Sequence, residues 1–163
     1  MSLTAVFFVG VGLAMDACAV SFAKGISLKK NVKKYAFLLA LAFGLFQGLM
    51  PLLGWWVGTH FEALITSVDH WIAFFLLGFI GLNMIRESKE AGAECEACVD
   101  SISGKEVLLL AIATSIDALA VGISFAFLQV SILPAVCLIA ATTFVISFAA
   151  VFLGNRSEEH TSE

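Results

Sequence analysis

The sequence predicts an all-α, polytopic membrane bundle: a helical inverted 3+3 repeat with the sixth helix missing. Three observations carry that expectation. The chain is 60% hydrophobic and only 13% charged, with a mean hydropathy of +0.99, more apolar side chain than a soluble domain of 163 residues can hide in one core. Five apolar runs are long enough to cross a bilayer, at about 3–23, 35–59, 68–85, 107–128 and 132–154. They lack the period-two alternation of a β-barrel. Finally, a phrase recurs: Asp16-Ala17-Cys18-Ala19-Val20 in span one and Asp117-Ala118-Leu119-Ala120-Val121 in span four.

Span one is no cleavable signal, because it lacks a basic leader, is long, and carries Asp16. Lys24, Lys29, Lys30, Lys33 and Lys34 follow it. Span two is rich in helix-adapting residues, with Gly44, Gln47, Gly48, Pro51, Gly54 and Gly58, and ends at Trp55, Trp56 and His60. Span three opens beside His70 and Trp71 and is followed by Arg86, Lys89 and Lys105. Spans four and five come next, and Arg156 closes the set of nine basic residues. The loops after spans two and four hold no lysine or arginine, so the positive-inside rule puts the N-terminus outside and the Trp and His cluster at the outer interface.

The repeated phrase divides the chain into halves. Residues 1–88 read as a first three-helix repeat, 89–105 as a cytoplasmic linker loop, and 106–155 as a second repeat with two helices only. An odd number of spans per half inverts the second half, an architecture of many secondary transporters. Residues 156–163 coincide with the in-frame reading of a common sequencing-library adapter, so they are expected to be a non-native tail.

A carboxylate at mid-membrane costs roughly 2.5–3.5 kcal/mol on the lenient scale, so Asp16 and Asp117 call for a function. Two acids from inverted halves converge on a pseudo-two-fold axis, where hard cations find oxygen ligands. On a regular helix Asp16 shares its face with Gly12, Ala19, Val20 and Ala23, and Asp117 with Ala113, Thr114, Val121 and Ser124. Thr114 and Ser124 thereby become candidate metal ligands, whereas Ser21 and Ser115 fall off those faces. Pro51 deprives the Gln47 carbonyl of its helical donor, so Gln47 offers two neutral oxygens, although a kinked packing helix explains the same residues equally well. Thr142, Thr143 and Ser147 read as hydroxyls bonded to their own backbone rather than as ligands. Asn83 is open to either reading. Cys95 and Cys98 form a lone C-x-x-C with no second ligand pair nearby, and read as an incidental loop feature.

The phrases within Gly12–Ser21, Phe46–Trp55, Asp69–Phe74 and Ala113–Gly122 together resemble the MntP family of bacterial manganese exporters, over about residues 3–155. The resemblance implies a six-helix inner-membrane protein of the LysE-like transporter superfamily that expels Mn²⁺ and is not an enzyme. It carries the family's membrane aspartates onto Asp16 and Asp117. The chain departs from the family where Asn83 stands for a usual basic residue.

The expected function is therefore manganese(II) efflux by exchange with protons at a midplane carboxylate site, since a carboxylate must be ionised to take a cation. Asp16, Asp117, Gln47, Thr114 and Ser124 are the metal-site candidates, Mn²⁺ is the transported substrate, and no cofactor is expected. Partners are Mn²⁺, protons and the lipid bilayer, with a homo-oligomer left open and no nucleic acid. An exporter of another divalent cation or a small solute is the alternative reading. An intramembrane aspartyl protease is a remote one, because neither aspartate sits in the G-x-G-D phrase such enzymes carry.

Overall fold

The computed structural model describes residues 2–60 and 103–161, together with Gly78, Leu82, Ile85 and Arg86, which are helical. The chain divides into two compact units, 1–60 with 99–163, and 61–98. Most of span three, with Asn83, and the linker with Cys95 and Cys98 lie outside the described residues.

Five helices fill the first unit: α1 (Leu3–Ser27), α2 (Val32–His60), α3 (Gly104–Thr114), α4 (Ile116–Phe127) and α5 (Ile132–Thr161). Among the described residues there is no strand. The protein is an all-α, multi-pass membrane protein. Alone, α1, α2 and α5 are long and apolar enough to span, and α3 with α4, bent by 40° at their junction, are so when taken together.

The helix ends follow local chemistry. The Ser2 hydroxyl caps α1 by accepting from the Ala5 N–H at 3.3 Å. Asn31, a residue that tolerates the left-handed region, turns the chain into α2 at φ 55. Gln129 closes α4 at φ 51; its N–H donates to the Ala126 carbonyl and that of Val130 to Phe125, which satisfies two otherwise orphaned carbonyls.

Glycines set how closely the helices approach and reveal their directions. Gly10 faces Ile139 and Gly25 faces Val151, so α1 and α5 run parallel. Gly44 lies against Ala140 and Phe144 and Gly48 against Ala140 and Val136, so α2 runs antiparallel to α5. Gly54 faces Leu119 and Gly58 faces Ala126, which makes α2 and α4 parallel. It follows that α1 and α4 point in opposite directions, as do α2 and α5. At Gly25, Gly54, Gly122 and Gly154 a Cβ would overlap the backbone of the facing helix, so only glycine permits these approaches.

The core is layered. Ala17, Leu28, Ala36, Leu39, Phe43, Val107, Ala111 and Val151 form one buried apolar cluster. Val6, Leu13, Ala118, Phe125, Ala135 and Ile139 form the other. Gln47, Thr114, Ser115 and Thr143, all buried, fall in sequence between members of the two clusters on their own segments. A polar layer thus crosses the bundle between two greasy ones. At one end, Lys24 pairs with Glu106, and Asn155 Nδ2 donates to the Leu28 carbonyl at 2.8 Å. The end of α1, the start of α3 and the later part of α5 therefore meet where the basic residues gather.

Candidate functional site

Both aspartates fall at the level of the polar layer. Asp16 lies between Leu13 of one apolar cluster and Ala17 of the other, and Asp117 between Ala111 and Ala118. Their surroundings differ. Asp16 sits mid-way along the unbroken α1, exposed like Gly12, Ala19 and Ala23 on its face. Asp117 is half-buried in the first turn of α4, where unsatisfied N–H groups and the helix dipole favour an anion. One of its oxygens, Oδ1, accepts from the Ala118 N–H at 2.9 Å.

The sequence reading took span four as one regular helix; instead it breaks at Ser115. The Ser115 N–H turns back to the Ile112 carbonyl at 3.1 Å, and the Thr114 hydroxyl bonds the Leu110 carbonyl at 2.9 Å. This tightens the end of α3, as back-bonding hydroxyls do. The consequence is that Asp117 begins a helix instead of riding in the middle of one.

Gln47 ties the two halves together. Its Nε2 donates to the Leu13 carbonyl at 3.0 Å, and its Oε1 accepts from the Ser115 hydroxyl at 2.9 Å. Leu13 is one helical turn from Asp16 and Ser115 two residues from Asp117, so a single buried amide spans the distance between the backbones that carry the acids. Sequence reasoning set Ser115 aside because it fell off the Asp117 face. The signal that could have found it was the Thr114-Ser115 pair in an otherwise apolar span.

The remaining candidates are placed less centrally. Ser124 is exposed and donates to the Ala120 carbonyl at 3.1 Å, and Thr114 is likewise bonded to its own helix. Thr142, Thr143 and Ser147 were expected to bond their backbone; Thr142 does, donating to the Leu138 carbonyl at 2.7 Å, whereas Thr143 and Ser147, like Ser21, are fully buried with no hydrogen-bond partner among the described residues. They lie on the i, i+4 stripe of α5 that also holds Ile139 and Val151, the residues facing Gly10 and Gly25 of α1. Among the described residues no three His, Cys, Asp or Glu side chains come together. An ion held here by both acids would have to complete its shell from neutral oxygens, which suits a hard cation better than one seeking thiolate or imidazole.

Comparison with known proteins gives the family. The sequence model of the Mntp family, described as "Putative manganese efflux pump", matches residues 30–163. The chain belongs to the MntP family. A relative from Desulfitobacterium hafniense, named "Putative manganese efflux pump MntP", is 54% identical over 149 residues, 91% of this chain and 78% of its own. One of the same name from Acetivibrio thermocellus is 53% identical over 157 residues, 95% of this chain and 78% of its own. A third, from Clostridium perfringens, is 46% identical and covers 96% and 83% respectively. No solved structure matches the chain. The family is one of transporters, not of enzymes.

Proposed function

We propose that this protein expels Mn²⁺ across the bacterial inner membrane, with its N-terminus outside, by exchanging the metal for protons at a site formed by Asp16 and Asp117. The observation that carries the reading is the pair of acids at the level of one polar layer, on antiparallel α1 and α4, joined through the Gln47 amide. The names of the relatives supply the metal.

The physical logic is that of charge. A divalent cation leaving against about 100 mV, negative inside, costs about 4.6 kcal/mol, and two protons entering in exchange cancel that charge movement. Ligand carboxylates must be ionised to hold the metal, so binding releases whatever protons they carried. The Thr114 and Ser124 hydroxyls and the Gln47 main-chain carbonyl, which Pro51 leaves without a helical donor, complete the shell in this proposal.

Growth of exporter-deficient cells under manganese stress tests it. Expression of the protein should restore growth, and Asp16→Ala or Asp117→Ala should abolish the rescue. Vesicle transport that responds to voltage but not to a pH gradient would overturn the exchange. Equal protection by the Asp16→Ala variant would overturn the ion site.

A further inference from the structure

We propose that Gln47 and Ser115 form a latch that holds the break in span four and thereby aims Asp117, which makes both of them positioning residues for the ion site. The inference rests on the reading of Asp117 as a ligand.

A serine just ahead of a helix ordinarily turns its oxygen onto the N–H groups of the first turn. Ser115 precedes α4 and makes no such bond. Its hydroxyl is donated instead to Gln47 Oε1, a residue 68 positions away. The Ala118 N–H that a capping serine would take is left to Asp117 Oδ1. A hydroxyl can donate and accept at once, so it is the rotamer aimed at Gln47, not the donation itself, that keeps the Ser115 oxygen off the first-turn N–H groups and leaves one to hold the acid.

The direction of the amide is not arbitrary. The Leu13 carbonyl can only accept, so Nε2 must face it, and Oε1 is left for a donor. Ser115 supplies that donor. Gln47 and Ser115 are both fully buried, so neither can exchange its partner for water. If the amide is removed, the Ser115 hydroxyl loses its acceptor and is free to rotate, which brings its oxygen within reach of the N–H groups in the first turn of α4. Capping them would displace Asp117 Oδ1 from the Ala118 N–H and re-aim the carboxylate. The Gln47 amide thus acts on the ion through Ser115 rather than by touching it.

The test is Mn²⁺ flux in proteoliposomes containing the purified full chain, with rates scaled to inserted protein. Gln47→Leu and Ser115→Ala should each raise KM for Mn²⁺ about tenfold with kcat changed far less, as suits loss of a coupled neighbour. The double variant should be no worse than either single one. Ser115→Thr, which keeps the hydroxyl and adds one methyl, should retain the parental KM, and because Ser115→Ala removes only the hydroxyl oxygen the pair decides the matter even where Gln47→Leu fails to insert. Additive effects, or equal damage from Ser115→Thr and Ser115→Ala, or an unchanged KM in Ser115→Ala, would overturn the latch. Asp117→Asn separates the two readings: unchanged transport there removes the ligand itself, whereas lost transport there with an unchanged KM in Ser115→Ala removes the latch alone.

Discussion

Asp16 rides on a helix that runs unbroken from Leu3 to Ser27, whereas Asp117 starts a new helix after a 40° bend. One acid is exposed among small residues, and the other is half-buried and held by a backbone N–H. The same short phrase thus serves in two mechanical settings: a rod and a joint. The difference teaches that inverted halves with matched chemistry need not share stiffness. Ser115, at the joint in span four, has a partner on α2; Ser21 on α1 is buried with none among the described residues.

The sharpest way to probe the contrast is to neutralise each acid. Asp117→Asn and Asp16→Asn should each lower Mn²⁺ transport by more than about 100-fold, beyond the upper end of what losing a supporting hydrogen bond costs a metal site. Thermal unfolding in detergent should distinguish them. Asp16→Asn should raise stability by removing an unpaired charge, while Asp117→Asn should give less, because it also weakens the bond to Ala118. Equal stability gains would erase the distinction drawn between rod and joint.

Packing gives the next largest effect. A methyl at Gly122 on α4 meets the backbone of Pro51, whereas one at Gly12 on α1 meets nothing close. Gly122→Ala should destabilise by about 1–3 kcal/mol and reduce transport; Gly12→Ala should leave both near parental values. Matching thermal curves for the two variants would mean that α4 is not seated as closely on α2 as the glycine implies.

Serine truncation tests the partners. Ser115→Ala strands the Gln47 oxygen and should lower stability by about 1–3 kcal/mol, whereas Ser21→Ala removes a buried hydroxyl with no partner and should be neutral or stabilising. A loss at Ser21 equal to that at Ser115 would place a bond where none is seen. Smallest of all is the link between rod and joint through Lys24 and Glu106, whose side chains are 24% and 38% exposed. Lys24→Met should change stability by less than about 1 kcal/mol, and the change should shrink as salt is added.

How much of this could be read from residues alone follows from which rules are local. Span lengths, the placement of lysines, and the recurrence of Asp16 and Asp117 are written in the order of the residues. The glycines of span two were legible as close-packing positions, but nothing in their spacing tells that Gly44 and Gly48 serve α5 while Gly54 and Gly58 serve α4. The bond Ser115 makes at the break was not legible because its partner, Gln47, lies on another helix. Thr143 and Ser147 misled for the opposite reason: a local habit, back-bonding, was assumed, while the helix turned both into a tight interface.

The pairing of α1 with α5 has a consequence for how the protein is made. Gly25 seats on Val151 and Gly154 on the Phe22 backbone, so α1 finds its main partner in the last helix described. At about 5–20 residues per second, α1 waits for several seconds or longer before α5 emerges. Throughout that interval Ser21 and the bare glycine face have no α5 to cover them. Biogenesis therefore sets a demand on α1 that transport does not: it must persist in lipid with that face open until α5 arrives.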